Sequence, residues 1–238
     1  MTILYGQSFV PGSKSNLPPQ ITMTKTSTIA VIGLGNIGRV VAANIVKAGR
    51  PVLVAERTLA KAQKIADEIG SHATPLEIRE AIAKADIIIP AIYFDGIQQF
   101  LKDYASELKG KLIIDPSNPI APDENGGFKK IIPQDQSSGQ ILAALIPTGA
   151  RFAKALGSLG AESLSAAAFA SPEQAVLFYA SDDAAVNAPV EDLIRAVGFE
   201  PLCIGGIDQS IRMEVFGDLH QFGALGKTVT LAEAKTKI

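Results

Sequence analysis

An α/β fold built on a doubly wound parallel sheet is the class that this sequence of 238 residues predicts, and three observations predict it. Short apolar, β-branched runs alternate with amphipathic helical stretches, the pattern of strands joined by crossover helices. A glycine-rich turn links the first such run to the first helix. The composition is 47% hydrophobic yet only 6% aromatic, with no Trp. Small apolar residues of this kind allow helices to pack closely on a sheet that is buried on both faces.

Taken in order, residues 1–25 stand apart. Gly12-Ser13-Lys14-Ser15-Asn16-Leu17-Pro18-Pro19 is polar and proline-rich, with no period that buries a face, so an N-terminal extension is expected here. Thr28 to Ile32 is a strand ending at glycine, and Asn36 to Gly49 a helix, with Ile37, Val40, Val41, Ile45 and Val46 at helical spacing. Pro51 to Ala55 is the second strand. Thr58 to Ile69 is a helix with Thr58 as N-cap. A short strand over Ser71 to Thr74, a third apolar strand over Asp86 to Ile92, a helix over Ile97 to Leu108 and a strand over Lys111 to Asp115 follow. Pro116 to Ser138 reads as a long loop holding four of the fourteen prolines. Loops beyond about 12–15 residues are commonly functional.

Beyond Gly149 three more strands are expected: Arg151 to Leu156, Gln174 to Ala180 and Phe199 to Ile204. A helix over Ala184 to Val197 lies between the last two, and another runs from Asp208 to about Leu225. The chain therefore divides into the extension, a first α/β unit over 26–150 and a small C-terminal α/β domain over 151–238.

Composition also excludes. The net charge of −2, without a dense Lys/Arg footprint, argues against a nucleic-acid partner. No apolar stretch reaches the roughly 20 residues that cross a bilayer, and no basic-then-apolar leader opens the sequence. Cys203 is the one cysteine, so no intrachain disulfide forms. It is read as a buried strand residue, and the protein as cytoplasmic.

Gly33-Leu34-Gly35-Asn36-Ile37-Gly38 carries the chemistry. Glycines at this spacing, after a buried strand and at the mouth of a helix, form a dinucleotide fingerprint, and an acidic residue, Glu56, ends the next strand about 20 residues on. Gly33 permits the tight turn, Gly35 lets backbone approach a pyrophosphate, and Gly38 lets helix and strand pack closely. Amides at the helix N-terminus face the phosphates. This context makes the sheet a Rossmann sheet. Glu56 favours the ribose hydroxyls of NAD, whereas Arg57, Thr58 and Lys61 offer a guanidinium, a hydroxyl and an ammonium to the 2′-phosphate of NADP.

The chain resembles the F420-dependent NADP oxidoreductases and the wider group of dinucleotide-binding proteins that includes the cytosolic domain of the STEAP metalloreductases. The stretches that carry the resemblance are 31–38, Glu56-Arg57-Thr58 with Lys61, Asp115-Pro116-Ser117-Asn118-Pro119, residues 154–162 and Arg212-Met213-Glu214. The resemblance implies NADP across the fingerprint, with its 2′-phosphate at Arg57, Thr58 and Lys61. It implies the nicotinamide edged by Ala91, Ile92 and Tyr93 and flanked by Ser117, Asn118 and Pro119. Ala155 and Leu156 match the strand end where the nicotinamide meets a second redox partner, a flavin or F420. Two positions differ. Glu56 stands where a small polar residue is usual, and Gly157 stands where F420 reductases carry a histidine.

Hydride transfer between stacked rings asks little acid–base chemistry of a protein, and no Ser/His/Asp or metal-ligand pattern is visible. A dehydrogenase or imine reductase of a small organic substrate is the second reading. It needs a proton donor, for which Lys154 and His220 are the candidates. A non-catalytic redox sensor is the third, with the extension as its support. Lys154 reads as a partly exposed strand residue, His72 as a surface residue, and His220 as an interface or surface residue. Arg212 and Glu214 are too close in sequence to face each other on a helix. Met213, Val215, Phe216, Leu219, Phe222 and Leu225 cover more than one helical stripe, which predicts burial against a second subunit in a homodimer.

Overall fold

A computed structural model describes residues 27–124 and 126–238; the expected extension lies outside the described residues. In chain order the elements are β1 (Ile29–Ile32), α1 (Asn36–Lys47), β2 (Val52–Ala55), α2 (Leu59–Ile69), β3 (Ala73–Leu76), α3 (Ile78–Lys84) and β4 (Ile87–Pro90). Then come α4 (Phe94–Asp103), β5 (Leu112–Asp115), β6 (Ile120–Pro122), β7 (Phe128–Lys130), α5 (Ser138–Ala143) and β8 (Arg151–Ala155). The last are α6 (Ala161–Ala166), β9 (Val176–Ala180), α7 (Asn187–Ala196), β10 (Glu200–Cys203), α8 (Ser210–Met213) and α9 (Leu231–Lys235).

Eight strands form one sheet in the order β10-β9-β8-β5-β4-β1-β2-β3. From β3 to β8 every neighbouring pair is parallel, giving the 3-2-1-4-5-6 arrangement of a dinucleotide-binding Rossmann sheet, with β8 as its sixth strand. β9 then runs antiparallel to β8, and β10 parallel to β9. The strands on either side of residue 150 thus share one sheet: β8 pairs with β5 from Leu112↔Arg151 to Asp115↔Lys154. The long excursion before β8 gives it the look of a new unit in sequence, but its backbone completes the first one.

Helices cover both faces because the inner strands are apolar on both. Ile29 and Val31 belong to one continuous core with Val41 and Ile45 of α1, Ile65 of α2, and Val190 and Leu193 of α7. Ala30 and Ile32 face α3 and α4 through Ile82, Phe94, Ile97 and Phe100. Each fully buried Ile or Leu contributes about 1.5–3 kcal/mol by removal from water. Asn44 of α1 is buried too, and donates to the Leu164 carbonyl at 3.0 Å, fastening α6 against α1. Gly49, with φ +75°, ends the first helix as expected.

Several expected elements shift. The strand expected at 71–74 is Ala73–Leu76, and the helix expected from Ile97 begins at Phe94, whose side chain is buried. α3 and α6, of seven and six residues, are too short for a helical period to show in sequence. The loop from Pro116 holds a hairpin, with Ile120 opposite Lys130. Cys203 is half-buried at the end of edge strand β10 rather than buried. The helix expected from Asp208 to Leu225 is the largest correction, since only Ser210–Met213 is α-helical there. Glu214 turns to extended backbone, Phe216 takes φ +76°, and the chain folds back so that the Leu219 N–H donates to the Arg212 carbonyl at 2.7 Å. A side chain at Gly217 would overlap that same carbonyl. Met213, Val215 and Leu219, read as a subunit contact, are buried within their own chain. No helix among the described residues is long and apolar enough to cross a membrane.

Candidate dinucleotide site

The β1–α1 turn lies at the carboxyl end of β1, beside the switch point where the strand order reverses between β1 and β4, the place where open α/β sheets take ligands. Gly33 has φ +89°, and its N–H donates to the Ala55 carbonyl at 2.9 Å, which ties the turn to β2. A Cβ there would overlap Ile92 and stand 2.7 Å from the Ala91 carbonyl. At Gly38 a Cβ would overlap the Gly33 carbonyl, so α1 can approach the turn only without one. Gly35, the N-cap of α1, is exposed, and a Cβ there would meet nothing within 4 Å. Above it is open space, and the first-turn amides at Asn36, Ile37 and Gly38 have no carbonyl of their own helix to bond. Leu34 is buried beneath this cradle and Asn36 is exposed at its mouth. Gly33 and Gly38 thus permit the tight turn and the close approach of α1, and Gly35 leaves the helix N-terminus open.

Glu56 directly follows β2, with its carboxylate facing the glycine turn. Its Oε1 accepts from the Leu34 N–H at 2.9 Å and from Lys61 Nζ at 2.9 Å, and its Oε2 accepts from the Arg57 N–H at 3.2 Å. Burial alone would raise its pKa; the Lys61 ammonium and the two backbone N–H groups outweigh that and hold it below the ordinary carboxylate value. Arg57 and Thr58 are exposed. Thr58 is the N-cap of α2 with its side chain free of any capping bond.

At the nicotinamide end the expected residues divide. Ala91 and Ile92 are half-buried against Gly33, and Tyr93 is 88% exposed. Pro119 is buried. Ser117 is 7% exposed, and its hydroxyl has no hydrogen-bond partner among the described residues. Asn118 is a brace: Nδ2 donates to the Gly157 carbonyl at 2.9 Å, and Oδ1 accepts from the Val215 N–H at 2.7 Å. Ala155 and Leu156 are fully buried, so neither presents an atom to a ligand. Gly157 is sterically obligatory, because a Cβ would stand 2.7 Å from the Pro116 carbonyl.

Both proton-donor candidates lie elsewhere than expected. Lys154 is 1% exposed, and its ammonium donates to Asp115 Oδ2 at 2.6 Å, the Ser117 carbonyl at 2.5 Å and Ser138 Oγ at 2.8 Å. All three N–H bonds are used, so it is a buried cross-brace and not a partly exposed strand residue. Glu214 completes the cluster, 3.8 Å from the same ammonium. It accepts from the Ser138 N–H at 3.0 Å, Ser138 Oγ at 2.9 Å and the Gly139 N–H at 2.9 Å, capping α5 from the far end of the sequence. Arg212 turns away to Asp218. His220 is 1% exposed, not a surface residue. The Phe222 N–H donates to Nδ1 at 2.9 Å, so Nε2 carries the proton and donates to the Gly157 carbonyl at 3.0 Å. Burial first, and the nearby Lys154 charge, push its pKa down to about 4 against the pull of the Gly157 carbonyl. His72 is exposed. Sequence reasoning missed Asp115, Ser138 and Glu214 as partners of Lys154.

Residues 28–119 match the family model for NADP oxidoreductase, coenzyme F420-dependent. Comparison with curated proteins finds no match. Among solved structures, a hypothetical protein from Sinorhizobium meliloti superposes with a TM-score of 0.74 at 26% identity, over 86% of this chain and 95% of that one. A provisionally named F420-dependent NADP reductase from Arthrobacter sp. FB24 gives 0.67 at 22% identity, over 78% and 87%, and shows the shared fold. A reductive aminase from Aspergillus terreus in complex with NADPH and ethyl-5-oxohexanoate gives 0.57 at 25% identity; the match covers 79% of this chain but only 58% of the aminase. With the glycine cradle at its start and Asn118 at its end, the segment 28–119 is similar to the F420-dependent NADP oxidoreductases.

Proposed function

We propose that the protein transfers hydride between NADP(H) and a flavin or F420-type ring. The observation that carries this reading is the commitment of both proton-donor candidates: Lys154 and His220 are buried and fully hydrogen-bonded. Ring-to-ring transfer needs positioning rather than a protein acid.

The amides at Asn36, Ile37 and Gly38 would hold the pyrophosphate, and Arg57 and Thr58 the 2′-phosphate. Ala91, Ile92 and Tyr93 would edge the nicotinamide, with Ser117, Asn118 and Pro119 on its other side. When bound, the nicotinamide supplies a hydride from C4. Lys154 fixes the Ser117 carbonyl, and Asn118 ties that loop to Gly157 and Val215, so the loop flanking the ring is rigid. Tyr93 offers an open aromatic face for stacking a second ring.

The likeness to an NADPH-bound reductive aminase favours a second reading, reduction of a small imine or carbonyl compound. There the exposed Tyr93 phenol would have to supply the proton. The test follows absorbance at 340 nm with NADPH and NADH against FMN, FAD, F420 and a panel of small ketones with amines. Reduction of a flavin-type ring by both wild type and Tyr93→Phe supports the first reading. Turnover of imines alone, abolished by Tyr93→Phe, supports the second. Tight nucleotide binding without any turnover would replace both with a sensor.

A further inference from the structure

We infer that Lys61 sets the choice of dinucleotide by neutralising Glu56, and not by gripping the cofactor's phosphate itself. The inference rests on the reading above, in which the dinucleotide reaches from α1 to the end of β2. A free carboxylate at the end of β2 pairs with two ribose hydroxyls and selects against a 2′-phosphate. Glu56 is such a carboxylate by position, yet it is 7% exposed and both its oxygens are engaged. The Lys61 ammonium sits 2.9 Å from Oε1, while the Leu34 and Arg57 amides hold the group toward the glycine turn.

The arrangement separates two tasks. Lys61 is in the first turn of α2, three residues after Thr58, so its stem reaches back across the helix start to the buried carboxylate. One of its three N–H donors is spent on that carboxylate, which takes up its charge. Arg57 is exposed and its guanidinium has no hydrogen-bond partner among the described residues, and Thr58 keeps its hydroxyl free of any capping bond. Beside them are the first-turn amides of α2, an eleven-residue helix. Cation, hydroxyl and amides remain for a dianionic phosphate, and the carboxylate that would repel it is cancelled by an internal ion pair. Without Lys61 the same carboxylate becomes a bare charge beside the phosphate position and a ready acceptor for ribose hydroxyls.

A double-mutant cycle tests this, with dissociation constants for NADPH and NADH measured by calorimetry on the full chain. Lys61 is half-exposed, so Lys61→Met and the backup Lys61→Gln keep the fold, which circular dichroism checks. Lys61→Met should weaken NADPH by about 10- to 100-fold, the effect of an uncompensated charge a few ångströms away, and leave NADH unchanged or tighter. Adding Glu56→Gln to Lys61→Met should restore NADPH to within about threefold of wild type, because the two residues act as one unit. If the double variant stays as weak as Lys61→Met, Lys61 touches the phosphate and the inference is wrong. Unchanged NADPH affinity in Lys61→Met also overturns it, while the dinucleotide reading survives. If wild type binds neither dinucleotide, the underlying reading falls and the inference with it.

Discussion

Acid should destabilise this fold in part through His220. In the unfolded chain its imidazole takes up a proton near its ordinary value of 6.5, but in the folded chain only near about 4. Between those values the unfolded state binds more protons, so stability rises with pH: the contribution is complete above pH 6.5 and is lost as pH falls toward 4. The gap is worth about 3 kcal/mol at roughly 1.4 kcal/mol per unit. The geometry says why. Protonating Nδ1 would set an N–H against the Phe222 N–H, 2.9 Å away, inside a pocket with 1% exposure and near the Lys154 charge. The assay is urea denaturation of wild type and His220→Gln at pH 7.5, 6.5, 5.5 and 4.5, where glutamine keeps a donor for Gly157. Carboxylates titrate in both proteins, so the difference isolates the histidine, and wild type should lose about 3 kcal/mol more than the variant. Should the variant fail to fold, an NMR titration of the wild-type imidazole gives the same answer. Parallel curves, or an imidazole that titrates near 6.5, would refute the reasoning.

Three further outcomes follow from contacts already described. Gly38→Ala places a methyl group on the Gly33 carbonyl, so it should cost about 1–3 kcal/mol and weaken NADPH binding; unchanged calorimetric affinity would contradict the cradle. Lys154→Met removes the cation between Asp115 and Glu214, both buried. It should destabilise by about 3–5 kcal/mol, and a loss below about 1 kcal/mol in denaturant would place that brace among weak surface pairs. Gly157→His installs the histidine of the F420 reductases but meets the Pro116 carbonyl at 2.7 Å. It should lower the thermal midpoint without raising the rate of F420 reduction, and a stable, faster variant would count against the packing argument.

The parts of the fold legible in the sequence are those whose cause is local. Gly33 and Gly38 announce their turn because each fills a backbone requirement within six residues, and the runs in β1 and β4 read as strands because both faces are apolar. What stayed hidden depends on partners far along the chain. Glu214 caps α5 across 76 residues, and no local pattern says that a glutamate just after Met213 will end a helix there. Lys154 left a usable signal: it sits in Phe152-Ala153-Lys154-Ala155-Leu156, an apolar run of the kind found in a central strand. Assigning that run to a separate small domain concealed that β8 pairs with β5 and must bury its lysine. His220 looked like part of an amphipathic helix, and only the turns at Phe216 and Gly217 carry its ring inward.

Single-turnover oxidation of NADPH deuterated at C4, on each face in turn, with FMN and F420 as acceptors, tests the central claim most directly. The account predicts that one labelled face alone slows the loss of 340 nm absorbance, and that with F420 the label is recovered on the reduced ring. Failure to reduce either ring, with deuterium passing instead to a small imine or ketone, would contradict it.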